Sequence, residues 1–170
     1  MRDGKKFTGL IKTENKFVKL IPSLTILGVV FLLDRLSKSY ILDYFKTSDT
    51  EIVVNDYLNF DLVWNTGVGF GLFASNSSLI YNLITFFIGF IILALIYVTI
   101  SSKNLDKFIF SIIIGGALGN FYDRLTFNAV PDFIDLHYNS FHWFIFNVAD
   151  IFITLGIICF LMKGFFIKNL

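Results

Sequence analysis

Two aspartates stand inside apolar runs of this sequence: Asp123, which closes Asn120-Phe-Tyr-Asp123, and Asp150, which closes Asn147-Val-Ala-Asp150. A carboxylate is costly to keep within a membrane, so its presence there points to function. Asp123 lies 16 residues after Lys107, and Asp150 lies 13 residues before Lys163 on an antiparallel run. At ~1.5 Å per helical residue these spacings amount to ~24 and ~20 Å, nearly the same depth in the outer part of a bilayer. Matched depth makes Asp123 and Asp150 a candidate facing pair. Two carboxylates held together in low dielectric share a proton, so one serves as general base and the other as general acid. That is chemistry for hydrolysing an amide bond: the base activates a water, the acid supports the oxyanion, and no cofactor is required. Each Asn shares a helix face with the Asp three residues on, where its amide can donate to that carboxylate or to a substrate. The competing reading is an aspartate pair that merely caps or joins helices.

Other residues invite chemistry less directly. Asp34 and Lys38 are spaced four apart in the favoured acidic-then-basic order, and on spacing alone they read as a helix-surface ion pair at the interface. Asp132, Asp135, His137 and His142 suggest a metal, but the histidine spacing matches no common motif, and they read as solvated loop residues with no metal site. Cys159 sits in an apolar run and reads as packing, which leaves no disulfide framework. Gly115, Gly116 and Gly119 form a small-residue surface for close helix approach.

The elements that must carry these residues are set by composition. Of 170 residues, 55% are hydrophobic, 18% aromatic and 16% charged, and mean hydropathy is +0.71. Such a chain is a membrane protein. Its net charge of +1 provides no basic surplus for nucleic acid and no acidic tail. The expected fold is an all-α polytopic membrane protein, a single membrane domain over 1–170, with four transmembrane helices at about 20–42, 79–100, 105–122 and 141–162. A cleaved signal peptide is the rival reading of the first, but Asp34-Arg35 follows the apolar stretch and no small-residue cleavage site appears. The first outer loop, 43–78, is expected to hold a small extracytoplasmic β element. Within it Leu58, Phe60, Leu62 and Trp64 alternate with more polar neighbours, Ile52 to Val54 offers a partner strand, and a glycine run from Asn65 through Gly67 to Gly71 reads as a connector. Ten Lys and Arg fall in the 1–19 tail, the second loop and the C-terminal tail, against four on the other side. Both termini are therefore expected in the cytoplasm, with Trp64, Tyr138 and Trp143 at the outer interface. The tail itself reads as a topology signal that touches anionic lipid.

Five segments taken together resemble the bacterial lipoprotein signal peptidases (signal peptidase II): residues 34–38, Asp-Arg-Leu-Ser-Lys; 65–71, Asn-Thr-Gly-Val-Gly-Phe-Gly; 115–124, Gly-Gly-Ala-Leu-Gly-Asn-Phe-Tyr-Asp-Arg; 130–135, Val-Pro-Asp-Phe-Ile-Asp; and 146–150, Phe-Asn-Val-Ala-Asp. The resemblance implies an intramembrane aspartic endopeptidase of the cytoplasmic membrane, acting near its outer face without a cofactor. Its partners are prolipoproteins whose lipobox cysteine bears a diacylglyceryl group, together with membrane lipid and no nucleic acid, and it cuts just before that cysteine. It also implies Asp123 and Asp150 as the dyad, with Asp34, Lys38, Asn65, Gly67, Asn120, Arg124 and Asn147 binding substrate or supporting the pair. Two departures stand out. Gly69-Phe70 occupies the place of an Ala-Phe, and Asn128, which tolerates a left-handed backbone, stands near a customary glycine. A small transporter or proton channel is the alternative of another class, but no charged residue continues a relay below Asp123 and Asp150.

Overall fold

The computed structural model describes residues 20–67 and 78–167. The basic tail 1–19 and the Gly69, Phe70 and Gly71 part of the glycine run lie outside the described residues. Among the described residues, four long helices and four strands follow in chain order: α1 (Ile21–Phe45), β1 (Ile52–Asn55), β2 (Leu58–Asn65), α2 (Ser78–Ser101), α3 (Asn104–Phe127), β3 (Val130–Tyr138), β4 (Phe141–His142) and α4 (Val148–Ile167). Among the described residues three helices are long and apolar enough to cross a membrane, Ser78–Ser101, Leu105–Phe127 and Val148–Phe165. α1 matches them in length at 25 residues, but it carries Asp34, Arg35, Lys38 and Asp43.

α3 is the central helix and packs against the other three. Its apolar face contributes Ile109, Phe110, Ile113 and Ile114 to a cluster that Ile92 of α2 completes. The glycines set the approach. A Cβ on Gly115 would stand 2.8 Å from the Leu27 carbonyl of α1, and one on Gly116 would stand 2.7 Å from the Ala149 carbonyl of α4. The small-residue surface is thus a packing surface on two sides of one helix. Outward, the helices leave Leu24, Phe86, Phe90, Leu93 and Leu161 more than half exposed, the distribution a lipid-facing surface requires.

α3 continues five residues past the expected end at 122. Nothing in 123–127 breaks a helix, and Asp123 and Arg124 find partners that offset their burial. It stops at Asn128, which takes the left-handed conformation at φ 56°, the geometry of a helix C-cap. α4 begins at Val148, seven residues after the expected 141. The intervening residues are claimed by a hairpin: Asn139 turns at φ 52°, His137 pairs with His142, and Tyr138 pairs with Phe141.

The sheet runs β1-β2-β3-β4, antiparallel throughout. β1 and β2 are the strands expected in the first outer loop. β3 is not, because 130–138 reads as a loop when taken by itself; it becomes a strand by pairing with β2, Asn59 opposite Asp135 and Asn65 opposite Val130. Asp132 and Asp135 are consequently buried, each 3% exposed, and are not solvated loop residues.

Candidate active site

α1 and α3 meet through four charges, of which Asp34, Lys38 and Asp123 are buried and Arg35 is partly exposed. Asp34 and Lys38, one turn apart on α1, are joined at 3.0 Å. They are not the surface pair that spacing implies, since Asp34 is 0% and Lys38 1% exposed. The reason is their place against α3. Arg35 grips Asp123 with both terminal nitrogens, at 2.6 Å to Oδ1 and 2.8 Å to Oδ2, and Lys38 Nζ adds a bond of 2.7 Å to Asp123 Oδ2. Arg35 also reaches Asp34 Oδ2 at 2.8 Å, and the Ala149 N–H donates to Asp34 Oδ1 at 3.1 Å. Only glycine fits at position 119, where a Cβ would fall on the Asp34 carboxylate. Two carboxylates and two cations make a formally neutral cluster, the arrangement that permits ions in low dielectric.

This bears on the facing pair. Both oxygens of Asp123 are occupied by cations, and Lys38 and Asn120 stand between Asp123 and Asp150. Asn120 accepts from Lys38 Nζ at 2.7 Å and donates to Asp150 Oδ1 at 2.8 Å. The paired Asn-x-x-Asp motifs therefore work crosswise: neither Asn side-chain amide donates to the Asp of its own motif. Asn147 caps α4, its Oδ1 accepting from the Asp150 N–H at 3.1 Å while the Asp150 carboxylate accepts from the Asn147 N–H at 3.2 Å, a reciprocal capping box. Its side-chain amide turns the other way and donates to Asp132 Oδ1 at 2.6 Å.

Asp132 of β3 is thus linked through one side chain to Asp150 of α4. A second amide, Asn65 Nδ2 at the end of β2, donates to Asp132 Oδ2 at 2.8 Å. Burial, followed by the nearby Asp150 carboxylate, pushes the Asp132 carboxyl up to about 6; the Asn65 and Asn147 amides and Lys38 pull in the opposite direction. Asp132 feels the Asp150 charge, and the two acids share a polar linker in Asn147.

Asn65, Gly67 and Arg124 form one support. Asn65 Oδ1 accepts from the Gly67 N–H at 2.8 Å, and Arg124 donates to the Gly67 carbonyl. Arg124 is itself held by Tyr81 of α2, whose hydroxyl donates to the Arg124 carbonyl at 3.1 Å and whose ring lies 5.6 Å below the guanidinium. The end of β2, which positions Asp132, is in this way tied to α2 and α3. Beside Asp150 opens an apolar cavity of about 280 Å³ lined by Leu136, Trp143, Phe146, Ile151, Thr154 and Leu155. A groove of about 660 Å³ bordered by Arg35, Lys38, Trp64, Tyr122 and Phe127 opens on the charged cluster.

All the expected site residues are brought into one connected region. Sequence reasoning left out two more, Arg35 and Asp132. Arg35 is hidden because its partner Asp123 is 88 positions away. For Asp132 a signal exists: it lies within Val-Pro-Asp-Phe-Ile, a largely apolar run of strand length.

Residues 26–166 match the family model of signal peptidase (SPase) II. The chain belongs to the signal peptidase II family. The matched stretch contains every residue of both polar groups, and membership makes the chain a membrane protease of lipoprotein processing. It is 49% identical over 160 residues to the lipoprotein signal peptidase of Pelagibacter ubique, covering 94% of each chain. It is 42% identical to that of Anaplasma marginale over 78% of each. Among solved structures it resembles a bacterial membrane enzyme determined by the in meso method at 2.3 Å, with a TM-score of 0.70 and 28% identity over 85% of this chain and 87% of that one.

Proposed function

We propose that this signal peptidase II family member is an aspartic endopeptidase that removes the signal peptide from diacylglyceryl-modified prolipoproteins, cutting before the lipidated cysteine, with Asp132 and Asp150 as its acid–base pair. The observation that carries the reading is Asn147, one buried residue that boxes Asp150 through its backbone and oxygen and donates its amide to Asp132. Asp123, expected from sequence as one half of the pair, takes a different part: it is the anion that Arg35 and Lys38 require. Both of its oxygens are engaged by those cations, whereas acid–base exchange needs a carboxyl open to water and substrate.

In the proposed reaction the pair holds one proton. A water between the carboxyls gives a proton to the ionised partner as it attacks the scissile carbonyl, and the protonated partner donates to the oxyanion. Collapse of this tetrahedral intermediate breaks the C–N bond as the carboxyl that took the water's proton passes it to the departing cysteine nitrogen, and the other carboxyl recovers its own proton. Asn120 and Asn147 keep Asp150 oriented, and Asn65 does the same for Asp132. The apolar cavity against Asp150 suits a signal-peptide side chain arriving within the bilayer, and α1, with its charges neutralised internally, serves as a fourth span. Both termini are cytoplasmic and the pair lies toward the outer face.

The test is incubation of the purified protein with a diacylglyceryl-modified precursor and mass analysis of the products. The expected result is a single cut before the modified cysteine. Because the acyl chains are buried in the bilayer before and after binding, their contribution is positioning; the unlipidated precursor should show lower turnover at saturation as well as a higher KM. Equal turnover of the two precursors would remove the lipoprotein-specific reading.

A further inference from the structure

Outside the acid pair, the outer sheet carries a second cluster with its own chemistry. We propose that Asp135, His137 and His142 form a binding site for a divalent ion of the zinc class, which clamps β4 to β3. Alternation along β3 puts Asp135 and His137 on one face, and His142 is the register partner of His137 on β4. The two imidazoles stack with centroids 5.2 Å apart and planes 22° from parallel. One carboxylate oxygen of Asp135 lies 2.8 Å from His142 Nδ1 and 4.0 Å from His137 Nδ1, and all three donor groups fall within 4.8 Å of one another. Tetrahedral donors on a common zinc stand about 3.3 Å apart, which follows from bonds of about 2.0–2.1 Å. The observed separations of 2.8 and 4.0 Å lie on either side of that value, and His142, whose side chain is 54% exposed, has room to adjust. Two imidazoles and a carboxylate, with water in a fourth position, are donors that suit zinc and its neighbours.

The buried polar atoms point the same way. Asp135 Oδ1 and His137 Nδ1 are both buried without a hydrogen-bond partner among the described residues, although Asp135 is 3% exposed. The Asp135–His142 contact alone leaves both atoms unsatisfied, a cost that an ion would offset. The frame is already built: the His137 N–H donates to the Tyr57 carbonyl at 3.0 Å and the Trp143 N–H to the Leu136 carbonyl at 2.8 Å. His142, 54% exposed in its side chain, leaves an approach from solvent. Occupation would stiffen the hairpin that leads through residues 143–146 into Asn147 and α4.

The test uses the full chain in detergent, titrated with zinc chloride by calorimetry and with cobalt(II) by visible absorption. One equivalent should bind, with the intense d–d bands of a tetrahedral cobalt site and a rise in melting temperature under zinc. His142→Ala and His137→Ala should each weaken binding by at least about tenfold and abolish the melting shift, and Cys159→Ser should leave both unchanged. An octahedral cobalt spectrum in the unaltered chain would overturn the proposal even if a variant misfolded. So would binding that survives both histidine changes or is lost with Cys159.

Discussion

At the scale of single residues, Asp123, Asp132 and Asp150 sit in different surroundings. Asp123 is neutralised by two cations, Asp150 is boxed at a helix start, and Asp132 is buried near a like charge. The three variants should therefore separate. Asp132→Asn and Asp150→Asn should each lower turnover about a hundredfold to ten-thousandfold, the range for loss of an acid–base group, with melting temperature and precursor binding retained. Asp123→Asn leaves Arg35 and Lys38 with one carboxylate between them and should cost about 3–5 kcal/mol of stability, read as a lower melting temperature in detergent. Full activity in Asp132→Asn would return the pair to Asp123. A pH signature accompanies this. Because the Asp132 value is raised from 3.8 to about 6, the fold binds that proton more tightly than the unfolded chain does, and the stabilisation present at acid pH is lost as pH rises through that window. In kcat/KM, the alkaline limb should lie at or above about 6. Asn65→Ala removes an amide that favours the ionised form, so the limb should move upward; a downward move, or none, would separate Asp132 from the profile.

At the scale of elements, the helix ends and the helix contacts carry the precision. Asn128 closes α3 with a left-handed residue and thereby starts β3 two residues on, which fixes where Asp132 stands. Asn128→Gly should be neutral or stabilising, and Asn128→Ala should cost about 1 kcal/mol because its Cβ is strained in that conformation. Thermal melts of the two variants check this. Gly116 lies against the Ala149 backbone, which no rotamer can move. Gly116→Ala should force α3 and α4 apart at the point where Asn120 reaches Asp150, costing about 1–3 kcal/mol and reducing cleavage more than the melting loss alone explains. If Gly116→Ala cleaved normally, the close approach would have no part in holding the site.

At the scale of the whole molecule, Lys163 of α4 pairs with Asp106 of α3, so the start of one helix and the end of the other share an end of the bundle, opposite the sheet. The proposed orientation, which rests on the Lys and Arg distribution, puts that end in the cytoplasm. A single cysteine at Asp56, in the exposed turn between β1 and β2, should react with a membrane-impermeant thiol reagent applied outside intact cells, and one at Lys103 should not. The reverse pattern would invert the molecule and place the sheet and acid pair inside.

Membrane character, the β1–β2 pair and most residues of the candidate site were legible in the sequence, because hydropathy, period-two alternation and charges in apolar runs are local quantities. Sequence also placed Asp150, Asn120 and Asn147 in the site, and Asn128 as a residue suited to a left-handed turn. Which carboxylates share a linking side chain was decided by tertiary structure alone: Asn147 joins Asp132 to Asp150. Depth along two helices is a one-dimensional measure, and Asp123 and Asp150 match in it. The direction in which each side chain leaves its helix depends on what packs there, and α1 brings Arg35 and Lys38 to Asp123 from more than eighty positions away. Strand β3 takes its place from its pairing with β2 on one side and β4 on the other, so Asp132 reads as a loop residue until these segments meet. That meeting buries it beside Asp150 and raises its proton affinity, a property no segment of the chain has when read alone.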